Sequence, residues 1–235
     1  MGDSQDGKKF HLLAEQAREA GNFLQALEYT DQATLAYQKD SDIAGLAEVQ
    51  SSRQSTFKHL YRKTGDKLFL ILEKHAAESA VELAQQCTDQ SALAIPYHNL
   101  GKYYAESGEW GKAAEYFQKA VENLRTYSDN SHSRQSVIAD IEGHQFAAEY
   151  KQGDKQALGR ALNALEDLKE TEEDSYNKAV WVSGAHLRIA EMLMENNIEL
   201  ARQHLDKARK IIESDTRLIL RKEQLDRLQQ LFQKG

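Results

Sequence analysis

The 235-residue chain is 40% hydrophobic and 29% charged, carries a formal net charge of −7, and has one proline and one cysteine. This balance describes a surface-rich helical protein. It excludes an internal disulfide and argues against nucleic acid or an anionic membrane as partner.

The opening MGDSQDGKKF lacks the apolar stretch of a secretory signal, and the most apolar run, Leu68 to Leu72, is too short to span a bilayer. The expected setting is cytoplasmic. Strong helix formers outnumber Val and Ile, so long helices are expected and no strand.

Taken in order, the chain reads as paired amphipathic helices. In the first unit, about residues 6–40, Phe10, Leu13, Ala14 and Ala17 share one face, and Ala26, Thr30 and Ala33 share another. The second unit, 41–88, has a long first helix through Phe57, Leu60 and Tyr61, then Leu72, Ala76, Ala80 and Leu83 as an inward face. The third, 89–127, carries Tyr97, Leu100, Gly101 and Tyr104, then Ala113, Phe117 and Ala120, with Pro96 early in its first helix.

After the polar stretch Thr126 to Ser133, the fourth unit, 133–171, runs through Val137, Ile138, Ile141 and Phe146 to Leu158, Leu162 and Leu165. The fifth, 175–213, has Val180, Leu187, Ala190 and Leu193, then Ala201, Leu205 and Ala208, with Asp174 or Ser175 as N-cap. A last helix, 215–233, carries Leu218, Leu225, Leu228 and Phe232 and reads as an end cap.

The turns set the period. Gly21, Gly65, Gly108 and Gly153 each precede an Ala- or Leu-rich helical pattern, and Asn196-Asn197 stands in the fifth position. Taken at Asn197, the steps are 44, 43, 45 and 44 residues. Glycine closes a helix in the left-handed conformation at no steric cost, and asparagine is the next best. Regular spacing of this kind marks a solenoid of two-helix units, here one all-α domain over residues 1–235 with five hairpins and a capping helix.

Tyr97, Leu100, Gly101, Tyr104, Gly108, Ala113, Phe117 and Ala120 resemble the tetratricopeptide repeat (TPR) signature, with Arg125 in place of the usual proline. The first unit resembles a second copy, the fifth matches with one residue deleted in its turn, and the second and fourth are degenerate at Lys74 and Glu149. The period of about 44 exceeds the usual 34. It is similar to that of kinesin light chains and bacterial peptide-pheromone receptors. HEAT repeats share the period and are the alternative.

The resemblance implies a right-handed α-α superhelix whose first helices line a concave groove that binds a peptide or protein segment without chemistry. Groove positions would be Lys8, His11, Glu15 and Arg18, then His59, Arg62 and Lys63, then His98, Asn99, Lys102 and Glu106. His144 and Lys151 follow in the fourth unit, and Arg188, Glu191 and Glu195 in the fifth.

The binding candidates are His59, Arg62, Lys63, His98, Asn99, Lys102, His144, Lys151 and Arg188. The expected ligand is an acidic peptide or a C-terminal carboxylate, with Asn99 pairing to ligand backbone. The strip lacks the two-lysine, two-asparagine clamp of chaperone-binding TPRs, since His11 and Glu15 stand where that clamp has Lys and Asn. The alternative function is self-assembly through the C-terminal helix or the convex face, so a homo-oligomer is the other partner state.

No enzyme, cofactor or metal is expected. Cys87 has no assignable base, and chelation would need two or more of the recurring histidines to converge, with no second cysteine to help. The run Gly108-Glu109-Trp110-Gly111-Lys112 lacks the leading Gly and trailing Ser or Thr of a phosphate loop. Trp110 and Trp181 read as packing residues.

Overall fold

The structure, a computed structural model, describes residues 4–129 and 132–234. Among these there are eleven α-helices and no strand. Backbone contacts group the chain into two compact units, Met1–Tyr127 and Ser128–Gly235, each taken by itself below.

The first unit holds α1 (Gln5–Glu19), α2 (Phe23–Lys39), α3 (Ile43–Thr64), α4 (Lys67–Gln85), a 3-10 turn (Gln90–Leu93), α5 (Ala94–Glu106) and α6 (Trp110–Thr126). The second holds α7 (Gln135–Lys151), α8 (Ala157–Glu170), α9 (Ser175–Leu193), α10 (Ile198–Glu213) and α11 (Ile219–Lys234). Consecutive helices pair into five hairpins, α1/α2 through α9/α10.

The first helices of successive hairpins also touch: α1 packs on α3 and α3 on α5, and in the second unit α7 packs on α9. The terminal α11 packs against both helices of the last hairpin. It buries Leu225 and Leu228, with Leu218 buried just ahead of it, as a cap over apolar surface should.

The hairpin turns form as the glycines require. Gly21, Gly65, Gly108 and Gly153 all have positive φ, between 71° and 110°. Ser41 takes the same left-handed role at φ 55° between α2 and α3. Asn197 does not. Its φ is −153°, and it acts instead as N-cap of α10, its side chain accepting from the Leu200 amide. The expectation of a left-handed asparagine there is therefore corrected: its short amide serves the helix start, where asparagine is also favoured.

Asp174 caps α9, accepting from the amides of Tyr176 and Asn177. Pro96 is the third residue of α5, within the first turn, where a missing N–H costs no helical bond.

Packing in the third hairpin depends on Gly101. A Cβ there would lie 2.7 Å from Phe117 Cδ1, so only glycine lets the Phe117 ring, itself fully buried, seat on α5. Between the first two hairpins the buried Tyr37 ring lies over Gly7 of α1 and Gly45 of α3. One inward assignment fails. Leu72 is exposed, and its neighbour Glu73 faces the interior with no exposed surface. The cause lies on α3, where Gln54 and Lys58 supply a polar interior that Glu73 meets.

Candidate functional site

In the first unit α3 organises the site. Gln54, Lys58 and Arg62 follow at i, i+4 and i+8, so they form one stripe along the helix. Gln54 Nε2 donates to Glu73 Oε1 of α4 at 2.6 Å. Arg62 Nε donates to both carboxylate oxygens of Glu106 on α5, at 3.1 and 3.0 Å, and its Nη2 donates to Oε2. Lys58, on the turn between Gln54 and Arg62, is nine-tenths buried and feels the charge of both carboxylates. Farther along, Arg18 of α1 donates from Nη1 to Ser52 Oγ at 2.8 Å.

Burial costs a charged group its hydration. It pushes Lys58 down to about 8, with the nearby Arg62 lowering it further. It pushes Glu73 up to about 7, against the opposing pull of Lys58. Only one Glu73 oxygen has a partner; Oε2 is buried without one. Neither Lys58 nor Glu73 was singled out in the sequence. The signal available was the four-residue spacing of Lys58 from both Gln54 and Arg62.

The sequence-derived candidates divide by helix face. His59 and Lys63 turn away from the Arg62 row and converge on Phe23. The His59 ring stacks at 5.8 Å with 3° between planes, and Lys63 Nζ sits 5.4 Å from the Phe23 centroid. On α5, Asn99, Lys102 and Glu106 are spaced i, i+3 and i+7 and share the face that Glu106 turns to α3. Asn99 is 6% exposed. Lys102 is half-buried. His98, also buried, lies 5.8 Å from the Phe117 ring.

In the second unit Arg188 of α9 reaches α7. Its Nη2 donates to Asp140 Oδ1 at 2.6 Å, and Nη1 contacts His144 Nε2 at 2.7 Å. A guanidinium can only donate, so His144 Nε2 accepts and that ring carries its proton on Nδ1. Gly143 admits the arginine: a Cβ there would meet Arg188 Nη2 at 3.2 Å. The same device recurs one hairpin on, where Gly184 leaves room for Arg221, whose Nε donates to the Val180 carbonyl at 2.9 Å. Lys151 closes α7, where the helix dipole favours a cation.

A buried histidine pair was not foreseen. His186 of α9 and His204 of α10 meet Nδ1 to Nδ1 at 2.9 Å, 2% and 4% exposed. One ring must donate and the other accept, so the pair is neutral with opposite tautomers. Burial pushes His186 down to about 3 and His204 to about 4. Cys87 is half-buried, and burial pushes its thiol up, away from nucleophilic character. Trp181 is half-buried with the Arg134 guanidinium 5.6 Å over its ring, and Trp110 is half-buried at the start of α6.

Comparison with known proteins agrees with this architecture. Residues 94–127, the third hairpin, match the tetratricopeptide repeat family model. No curated protein matches the chain. Among solved structures, BtubC (BKLC) from P. vanneervenii is similar at TM-score 0.61 and 17% identity, over 88% of this chain and 80% of that one. A protein from Podosopora anserina, described as a kinesin light chain with nearly identical TPR-like repeats, is similar at TM-score 0.57 and 15% identity, over 90% of this chain and 97% of that one. The third hairpin thus matches the tetratricopeptide repeat, and the fold is that of TPR-like helical repeats.

Proposed function

We propose that the chain is a non-enzymatic scaffold that binds a peptide or protein segment along the face formed by α1, α3 and α5. The ligand backbone pairs with the Asn99 carboxamide. An acidic ligand side chain, or a C-terminal carboxylate, meets Lys102. Arg62 and Glu106 hold α3 and α5 in register beneath it.

The observation that supports this reading is the Asn99 carboxamide, nearly buried on the face that α5 turns to α3, one turn before the half-buried Lys102. A carboxamide there offers both a donor and an acceptor to a ligand backbone. In the second unit, Lys151 is the counterpart cation, and Arg188 with His144 is available only to a ligand that competes with Asp140.

No helix among the described residues is long and apolar enough to cross a membrane. The reading is tested on an array of 12-residue peptides, acidic and basic, probed with the full chain. Acidic members should bind and lose roughly tenfold in affinity to the Lys102→Glu protein, the size of a charge reversal at a partly desolvated contact. Equal capture of acidic and basic members, unchanged by Lys102→Glu, would contradict it.

A further inference from the structure

The first half of α4 wears its polarity inside out. Glu73 has no exposed surface, while Leu68, Ile71 and Leu72 are 64%, 52% and 43% exposed. These three residues are spaced i, i+3 and i+4, so they form one contiguous apolar strip. His75, its side chain 70% exposed, continues the strip. Isolated surface leucines need no explanation, but an ordered row beside a buried carboxylate does.

Charge decides what covers it. Lys67 stands exposed at the N-terminal end of α4; Glu78, paired with Lys74 at 3.7 Å, and the exposed Glu82 stand towards its C-terminal end. The strip is therefore cationic at one end and anionic at the other. A lipid surface favours cations along the whole polar flank, which Glu78 and Glu82 oppose. A strip with opposite ends is complementary to itself turned round.

We propose that the outer face of α4 binds a second copy of this chain, α4 against α4 in antiparallel orientation. The two-fold axis passes between Ile71 and Leu72. Ile71 then meets the partner's Leu72, Leu68 meets the partner's His75, and Lys67 lies beside the partner's Glu78. Such a contact is isologous and closes at two copies.

This goes beyond the peptide-binding reading, because the exposed strip lies on the side of α4 away from Glu73, the residue that meets α3. Either reading stands if the other fails. The 19 residues of α4 extend about 28 Å. One helix of that length offers less than the roughly 800 Å² per partner of a standard interface, so the dimer is a weak one.

Sedimentation velocity of the full chain from about 5 to about 300 µM, a range that brackets a weak dimer, reads the association directly. The mass should rise from 26.7 kDa towards twice that value. Ile71→Glu should hold it at the monomer mass while leaving thermal unfolding unchanged. Lys67→Glu and Glu78→Lys should each weaken association at least about fivefold, and the double exchange should restore it, since the pair is regained with its sign swapped.

A wild-type chain that stays monomeric throughout overturns the proposal. So does an Ile71→Glu chain that associates like wild type, or a double exchange that restores nothing. A monomer that instead co-sediments with phosphatidylserine vesicles assigns the strip to lipid and overturns it equally.

Discussion

Arg62 of α3 and Glu106 of α5 are joined by three hydrogen bonds across 44 residues of sequence, one full repeat. Their side chains are 23% and 14% exposed, so the pair is partly shielded from water. It ties the second hairpin to the third through their first helices. Arg62→Ala should destabilise the chain by roughly 1–3 kcal/mol, the range for hydrogen bonds to charged groups. Glu106→Ala should cost a similar amount. In urea denaturation the double variant should cost clearly less than the sum, because both singles remove one interaction. Strict additivity would show that the two residues hold nothing in common.

The Lys58 and Glu73 site predicts the opposite sign for a full replacement. Taking one charge out of a buried pair strands the other; replacing the whole set with apolar residues removes the desolvation cost. Glu73→Met alone should lower stability. The triple change Gln54→Leu, Lys58→Met and Glu73→Leu should raise it, by about 1–4 kcal/mol. Chemical denaturation at pH 7.5 distinguishes the two outcomes.

The two units should answer pH in opposite directions. Glu73, raised from 4.5 to about 7, binds a proton more tightly folded than unfolded. Its contribution is full below 4.5 and lost as pH rises through 7. His186 and His204, held at about 3 and about 4 against an ordinary 6.5, do the reverse. Their contribution is full above 6.5 and lost as pH falls towards 4 and 3, as a second proton sets donor against donor. Amide exchange between pH 5.5 and 7.5, corrected for intrinsic rates, should show α4 opening more at the upper end and α9 and α10 opening more at the lower. The change His186→Phe with His204→Leu should flatten the second trend.

Glycine replacements separate three roles. Gly101→Leu should cost about 1–3 kcal/mol by overpacking against Phe117. Gly108→Val should cost at least about 1 kcal/mol, because φ is 79°. Gly159 lies in the first turn of α8 with no atom within 4 Å of a Cβ. There Gly159→Ala should stabilise, by about 0.5 kcal/mol, through the smaller entropy of the unfolded chain. Melting curves of the three variants give the order directly.

The sequence disclosed what is local and periodic. Gly65, Gly108 and Gly153 announce their own turns because few other residues tolerate that backbone. Gly101 and Phe117 stand at a spacing that only a closely packed hairpin uses. Asn197 was ambiguous, since asparagine suits a left-handed turn and an N-cap alike, and the local chain chose the cap. Leu72 and Glu73 misled because amphipathic counting assumes an apolar interior, and here α3 presents Gln54 and Lys58 to α4.

The contacts between hairpins were hidden for another reason. Arg62 with Glu106, and Arg188 with His144, each span 44 residues, so their meeting depends on how hairpins stack. The period was nonetheless in the sequence, and pairing polar residues one period apart would have marked both. The histidine pair had no such marker, because His186 and His204 sit 18 residues apart on the two helices of one hairpin.

The central claim is that the α1, α3 and α5 face takes a peptide. Amide exchange on the full chain, with and without a saturating acidic peptide from the array, tests it most directly. The account predicts slowed exchange at the C-terminal turns of α3 and along α5, lost in Asn99→Ala and Lys102→Glu. Protection confined to α2, α4 or α6, or unaltered by those two changes, would contradict it.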